Sequence, residues 1–271
     1  MKIIGGDFLI TRKELKENAK ATLKKFGYCN VFAVTLISGF LAEGIGSSAM
    51  SGVSSMFSSI ISAVYDSSGP IEEEYEFLSN PLFARWFIVL VVITFVFVFA
   101  LALCFGAFVS GPVLVGKSRF FMENRLYGSK FERLFWGFGK GRYLPIVKTN
   151  FVYMIRIFLW SLLFLIPGII KSYEYFMVPF ILSENPGINT ERAFEISSRT
   201  TKGEKWKIFV FECSFLGWIL LGLLTCGIGI YFLEPYYYAS FAELYQQLRE
   251  KAFSEGIADY SELPGYMPKQ A

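Results

Sequence analysis

Apolar residues along this chain gather into long runs, and polar residues collect between the runs. A helix needs roughly 20 apolar residues to cross a bilayer. Six runs qualify as expected spans: about Gly27 to Glu43, Trp86 to Val109, Ile146 to Ile166, Ile169 to Leu182, Ile208 to Leu224 and Ile228 to Tyr245. The fourth is the shortest and most polar. The pattern predicts an all-α, polytopic membrane protein of six transmembrane helices arranged as three helical hairpins.

Where the pattern is not continuous it is amphipathic. In "LKENAKATLKKF", Leu15, Ala19, Thr22, Leu23 and Phe26 share one helical face, while Lys13, Lys16, Lys20 and Lys24 take the other. Residues 1–26 are therefore expected as a cytoplasmic leader lying in the membrane interface, its lysines toward anionic lipid. A cleaved signal peptide is the competing reading, from the basic start, the apolar run and the small residues of "GIGSSAMSG". The long leader argues against it. In "SAMSGVSSMFSSIISAVYD", apolar residues recur with helical period, which suits either an interfacial connector or a partner-binding lid. After the last span, 249–271 is polar and acidic and is expected to be a disordered cytoplasmic tail.

Composition agrees with the pattern. Of the 271 residues, 54% are hydrophobic and 18% charged, against roughly 25% charged in soluble domains. Charge placement sets orientation by the positive-inside rule. Residues 1–26 and the stretch Ser110 to Val147 each hold seven Lys/Arg, and Ser183 to Lys207 holds five. The loop 44–84 has none, but carries Asp66, Glu72, Glu73, Glu74 and Glu76. That loop is expected outside, with both termini in the cytoplasm of a multi-pass plasma-membrane protein. Membrane lipids, and protein partners within the membrane, are the expected contacts. The dispersed basic residues do not suggest nucleic acid, and the oligomeric state is not readable. Cys29, Cys104, Cys213 and Cys226 form no CxxC and read as buried, reduced packing residues.

Order along the chain hints at duplication. Three times a basic or amphipathic entry leads to an outgoing helix and a returning one with an interior proline: Pro112, Pro179 and Pro235. Tight outer turns are expected at "IPG", containing Pro167 and Gly168, and at "TCGIG". Each interior proline removes a backbone hydrogen bond and frees a carbonyl about one turn earlier, near Phe108, Tyr175 and Tyr231.

The stretches "LWSLLFLIPGIIKSYEYFMVPFILSENPGIN" and "SSRTTKGEKWKIFVFECSFLGWILLGLLTCGIGIYFLEPYYYASFAELY", preceded by "GPVLVGKSRFFMENR", resemble a bacterial integral membrane family catalogued as domain of unknown function 975. The resemblance covers roughly Leu15 to Leu248. It implies a multi-pass plasma-membrane protein, distantly like the membrane portion of some glycerophosphodiester phosphodiesterases, and implies no activity. The long Ser- and Glu-rich outer loop departs from the pattern.

Charges inside apolar runs carry the functional expectation, because a charge near the bilayer centre costs about 3 kcal/mol on insertion scales. Lys171 and Glu174 share a helical face and are placed on the order of 5 to 10 Å below the outer surface, at roughly 1.5 Å per residue. Glu234 falls at similar depth, Arg156 nearer the midplane and Glu212 nearer the cytoplasm. A polar chamber opening outward, built from Arg156, Lys171, Glu174, Glu234, Tyr173 and Tyr237, is one reading; it would suit a zwitterionic or anionic amphiphile. Plain pairing is the other: Lys171 with Glu174, Arg156 with Glu212 or a carbonyl. The chain has no histidine, which removes the commonest general base and zinc ligand. No enzyme activity, cofactor or metal is expected. The function expected is binding or transport of a lipid or other amphiphile, with a non-transporting scaffold or regulator as the alternative.

Overall fold

The computed structural model describes residues 12–39, 58, 81–225 and 228–266. The loop 44–84, apart from Ser58 and the start of the helix at Pro81, lies outside them. Among the described residues every regular element is helical. The helices are α1 (Arg12–Phe26), α2 (Tyr28–Gly39), α3 (Pro81–Phe105), α4 (Gly111–Leu126), α5 (Tyr143–Leu163), α6 (Leu165–Glu174), α7 (Val178–Glu184), α8 (Thr190–Thr200), α9 (Lys205–Cys213), α10 (Leu216–Leu224) and α11 (Ile228–Ser254). A π-helical turn, Gly106–Ser110, joins α3 to α4, and a 3-10 helix, Phe131–Phe138, precedes α5. Three runs are long and apolar enough to cross a membrane: Val89–Leu126, Tyr143–Leu163 and Lys205–Leu224. They overlap the expected second, third and fifth spans.

Of the expected first span, Tyr28–Gly39 forms the 12-residue apolar α2, and 40–43 lie outside the described residues. The expected fourth span is not one helix. It stops at Glu174 and restarts at Val178, with Pro179 in the first turn of α7, where a missing N–H costs nothing. The expected sixth is longer than predicted, because α11 continues through Pro235 to Ser254.

The prolines act one by one. Before Pro112 the chain widens into the π turn, and the Phe108 carbonyl accepts a hydrogen bond from the Tyr143 hydroxyl at 3.0 Å. At Pro235 the engaged carbonyl is that of Phe232, which accepts from Tyr28. Between α5 and α6 the chain reverses at the extended Phe164, not at "IPG". Pro167 and Gly168 instead sit in the first turn of α6. A Cβ at Gly168 would stand 2.2 Å from Ser161 Oγ, so the glycine lets α5 and α6 approach closely. Gly222 and Gly229 do the same for α10 and α11.

Two expectations for the ends change. Leu15, Ala19 and Leu23 of α1 are buried, and α1 packs along α11 rather than facing lipid. Its lysines do not all turn outward: Lys16 donates to the Ser214 carbonyl at 3.2 Å and lies over Phe215, and Lys20 lies over Tyr236. Gly27, at φ 86°, makes the bend into α2 that an L side chain would resist. The expected tail is not disordered as far as Tyr266. Ile257, Ala258, Leu263 and Tyr266 are buried, and the Tyr266 hydroxyl meets Ser183 Oγ at 2.6 Å. Apolar residues at helical and turn spacing in "EGIADYSELPGY" give that segment something to bury.

The core gathers where α1, α2, α4, α7, α8, α9 and α11 meet, with a second cluster around Ile146, Tyr175 and Phe194. Large apolar side chains are exposed on α3, the end of α5, the start of α6 and α10, among them Trp86, Leu163, Ile166 and Leu224. A surface of this kind is what a bilayer covers. Cys29 and Cys104 are exposed rather than buried, and Cys29, Cys104 and Cys213 are free thiols.

Candidate functional site

The break between α6 and α7 is built, not merely tolerated. Ending α6 leaves the Glu174 carbonyl without a helical partner, and the hydroxyls of Ser197 on α8 and of Thr201 just past its end donate to it at 2.7 and 3.2 Å. Ser197 Oγ also accepts from the Met177 N–H at 3.2 Å. The Glu174 carboxylate is buried among three donors: Lys171 Nζ and Ser198 Oγ at 2.8 Å from Oε1, and Lys205 Nζ at 2.5 Å from Oε2. The expected pair of Lys171 and Glu174 is thus present, and a second lysine and a hydroxyl join it. Ser198 and Lys205 belong to the stretch expected in the cytoplasm, so a Glu174 near the outer surface is incompatible with that expectation.

Arg156 is not part of this node. Its guanidinium pairs with Glu191 at the start of α8, at 2.6 and 2.7 Å, and lies over Phe194. The expected partner Glu212 is elsewhere. Glu234 faces α2, its carboxylate oxygens 3.8 Å from the position a Cβ on Gly39 would occupy. Of the six residues expected to line one chamber, Lys171 pairs with Glu174, and Tyr173 and Tyr237 come together at a cavity that the other four do not line.

What joins the two tyrosines is Glu212. The Tyr173 hydroxyl donates to its Oε2 at 2.5 Å and the Tyr237 hydroxyl to its Oε1 at 2.9 Å. Two phenols from α6 and α11 therefore hold a carboxylate from α9. All three line a cavity of about 580 Å³ where α4, α6, α9 and α11 meet. Its wall is aromatic: Phe121, Phe176, Phe180, Phe209 and Phe241, with exposed Ile169 at the edge. Lys117 of α4, 4% exposed, adds a cation 3.4 Å from the Tyr238 ring centroid. The cavity thus presents a carboxylate and an ammonium within an apolar lining. Among the described residues no cluster of His, Cys, Asp and Glu could hold a metal.

Sequence reasoning missed Lys117 as a site residue because it reads as one of seven orienting charges. It treated Glu212 only as a partner for Arg156. The available signal was the shared feature of both: a charge followed and preceded by apolar residues at helical spacing.

A family model described as "Protein of unknown function (DUF975)" matches residues 72–252. No curated protein and no solved structure matches. The more distant likeness to glycerophosphodiester phosphodiesterases is not among these findings.

Proposed function

The chain belongs to the DUF975 family, and from that premise we propose that it is a multi-pass plasma-membrane protein that binds a lipid or other amphiphile. Both termini are cytoplasmic in this reading, from the charge placement already given. The helices form six membrane-inserted segments paired as hairpins. The segment Leu165–Glu174 has 10 residues, about 15 Å of helix, half the roughly 30 Å hydrocarbon thickness.

The observation that supports binding is the cavity at Glu212. Lys117 suits the anionic part of a headgroup, Glu212 a cationic part, and the phenylalanine wall an acyl chain. Binding is proposed rather than catalysis, because the carboxylate that would move a proton is already held by two phenols. The scaffold reading draws its support from the other charges: Glu174 with Lys171 and Lys205, and Arg156 with Glu191, are paired within the protein and need no ligand.

The test is native mass spectrometry of the protein released from nanodiscs of phosphatidylethanolamine and phosphatidylglycerol. Wild type should retain bound lipid, while Glu212→Gln with Lys117→Met, and separately Lys148→Gln as a control at an exposed position outside the cavity, should lose it and keep it, respectively. Equal retention by wild type and the cavity variant would remove the cavity as the binding site and favour the scaffold.

A further inference from the structure

A second pocket lies further along α4, on the other side of Glu123. About 560 Å³ in volume, it is lined by Tyr127, Ser129, Lys130, Arg133, Trp136 and Arg142, with Glu123 and Glu132. Its charges do not cancel. Glu123 is shared by two guanidiniums, Arg119 Nε at 2.7 Å and Arg133 Nε at 2.9 Å. Trp136 lies between two guanidiniums, 4.2 Å from that of Arg119 and 4.4 Å from that of Arg142.

Arg142, like Lys130 in the same lining, is a cation left over. Among the described residues it forms no ion pair, and its Nε is buried without a hydrogen-bond partner. Ser129 Oγ, in the same lining, is likewise buried and unpartnered. Both groups can donate to an acceptor placed in the pocket. Arg142 is held where it is: a Cβ on Gly139 would lie 2.0 Å from its Nη2, so the glycine makes room for the guanidinium. Burial and the neighbouring Arg119 and Arg133 weaken its hold on its own proton, the signature of a field with positive charge in excess.

We infer that this pocket binds a phosphate-bearing anion, with Arg142, Arg133 and Ser129 as its donors and Lys130 at its mouth. A planar guanidinium fixed by stacking presents two N–H groups to phosphate oxygens without further ordering. The pocket has room for a substituent beyond the phosphate. Leu126, Tyr127, Phe135 and Phe138 expose apolar surface beside it, so the phosphate can come from a lipid headgroup or from a soluble phosphate compound.

Two probes separate these sources: inorganic phosphate titrated calorimetrically into the full chain in dodecyl maltoside, and phosphatidic acid in phosphatidylcholine nanodiscs, read by native mass spectrometry. Wild type should bind at least one. Arg142→Gln should weaken that binding about tenfold or more, and Ser129→Ala less, through loss of donors to a charged acceptor. Lys148→Gln, a basic change outside the pocket, should leave it unchanged. Phosphate bound without phosphatidic acid assigns a soluble ligand; phosphatidic acid bound, with or without phosphate, assigns a headgroup. If Arg142→Gln does not fold, exposed Arg133→Gln carries the same comparison. Binding of neither probe by wild type, or equal binding by wild type and the folded pocket variants, overturns the site.

Discussion

The hydroxyl of Ser197 donates to the Glu174 carbonyl at 2.7 Å and accepts from the Met177 N–H at 3.2 Å. One buried side chain from α8 thereby satisfies both sides of the interruption between α6 and α7. Removing it leaves a buried donor with nothing to meet, at a cost of about 1–3 kcal/mol. Ser197→Ala should lower the thermal unfolding midpoint in detergent clearly. Ser198→Ala, which leaves Glu174 both lysines, should lower it less. Equal midpoints for Ser197→Ala and wild type would mean that the break supports itself.

Glycines should separate by what surrounds them. A Cβ on Gly116 would lie 1.9 Å from the Leu134 carbonyl oxygen, where α4 meets the 3-10 helix, and one on Gly217 would meet nothing within 4 Å. Backbone cannot step aside as a flexible side chain can. Gly116→Ala is expected to destabilise by about 1–3 kcal/mol. Gly217→Ala is expected to be neutral or to stabilise by up to about 1 kcal/mol through helix propensity. Unfolding midpoints of the two variants decide it.

Tyr173 and Tyr237 share one carboxylate and should not act independently. Losing one phenol leaves Glu212 one donor, and losing both leaves a carboxylate in an aromatic cavity with neither. In a double-mutant cycle of Tyr173→Phe and Tyr237→Phe, the coupling in unfolding free energy should be about 0.5–3 kcal/mol. Strict additivity would show that the two bonds do not form together.

The two arginine and lysine pairings should differ in weight. Glu191 is largely exposed, with 71% of its side chain accessible, so Arg156→Gln should cost no more than about 1 kcal/mol. Glu174 is buried, and Lys205→Met removes one of its two cations. The second variant should be the more destabilised in thermal unfolding, because a buried charge is left less compensated.

The C-terminal segment should respond to pH through Glu262. Hydrogen bonds from Arg192, at 2.7 and 3.0 Å, hold its carboxyl below the ordinary range. A depressed carboxylate contributes stability that is fully present above its unfolded pKa and is lost as pH falls through its folded one. Glu184 reaches the same segment through the Gly265 N–H, and burial pushes its carboxyl the other way. The comparison is therefore between wild type and Glu262→Gln. Hydrogen-exchange protection of 257–266 should be greater in wild type at pH 7, and the difference should vanish in strong acid.

Chain pattern alone determined the class of the molecule. Run length against bilayer thickness is a local property, so the stretches around Val89, Tyr143 and Ile208 could be recognised without knowing their neighbours. The pairing of Lys171 with Glu174 was legible for the same reason, since residues three apart on a helix are adjacent whatever else happens. Tertiary structure decided the rest. Lys205 lies 31 residues from Glu174, Glu191 lies 35 from Arg156, and Glu212 lies 39 from Tyr173. No periodicity reports such separations, because they depend on how α8, α9 and α11 dock. The same docking turned the apolar face of α1 from lipid to protein and drew Tyr266 into the core. A hydrophobic stripe specifies that a face will be buried, and only the fold determines what buries it.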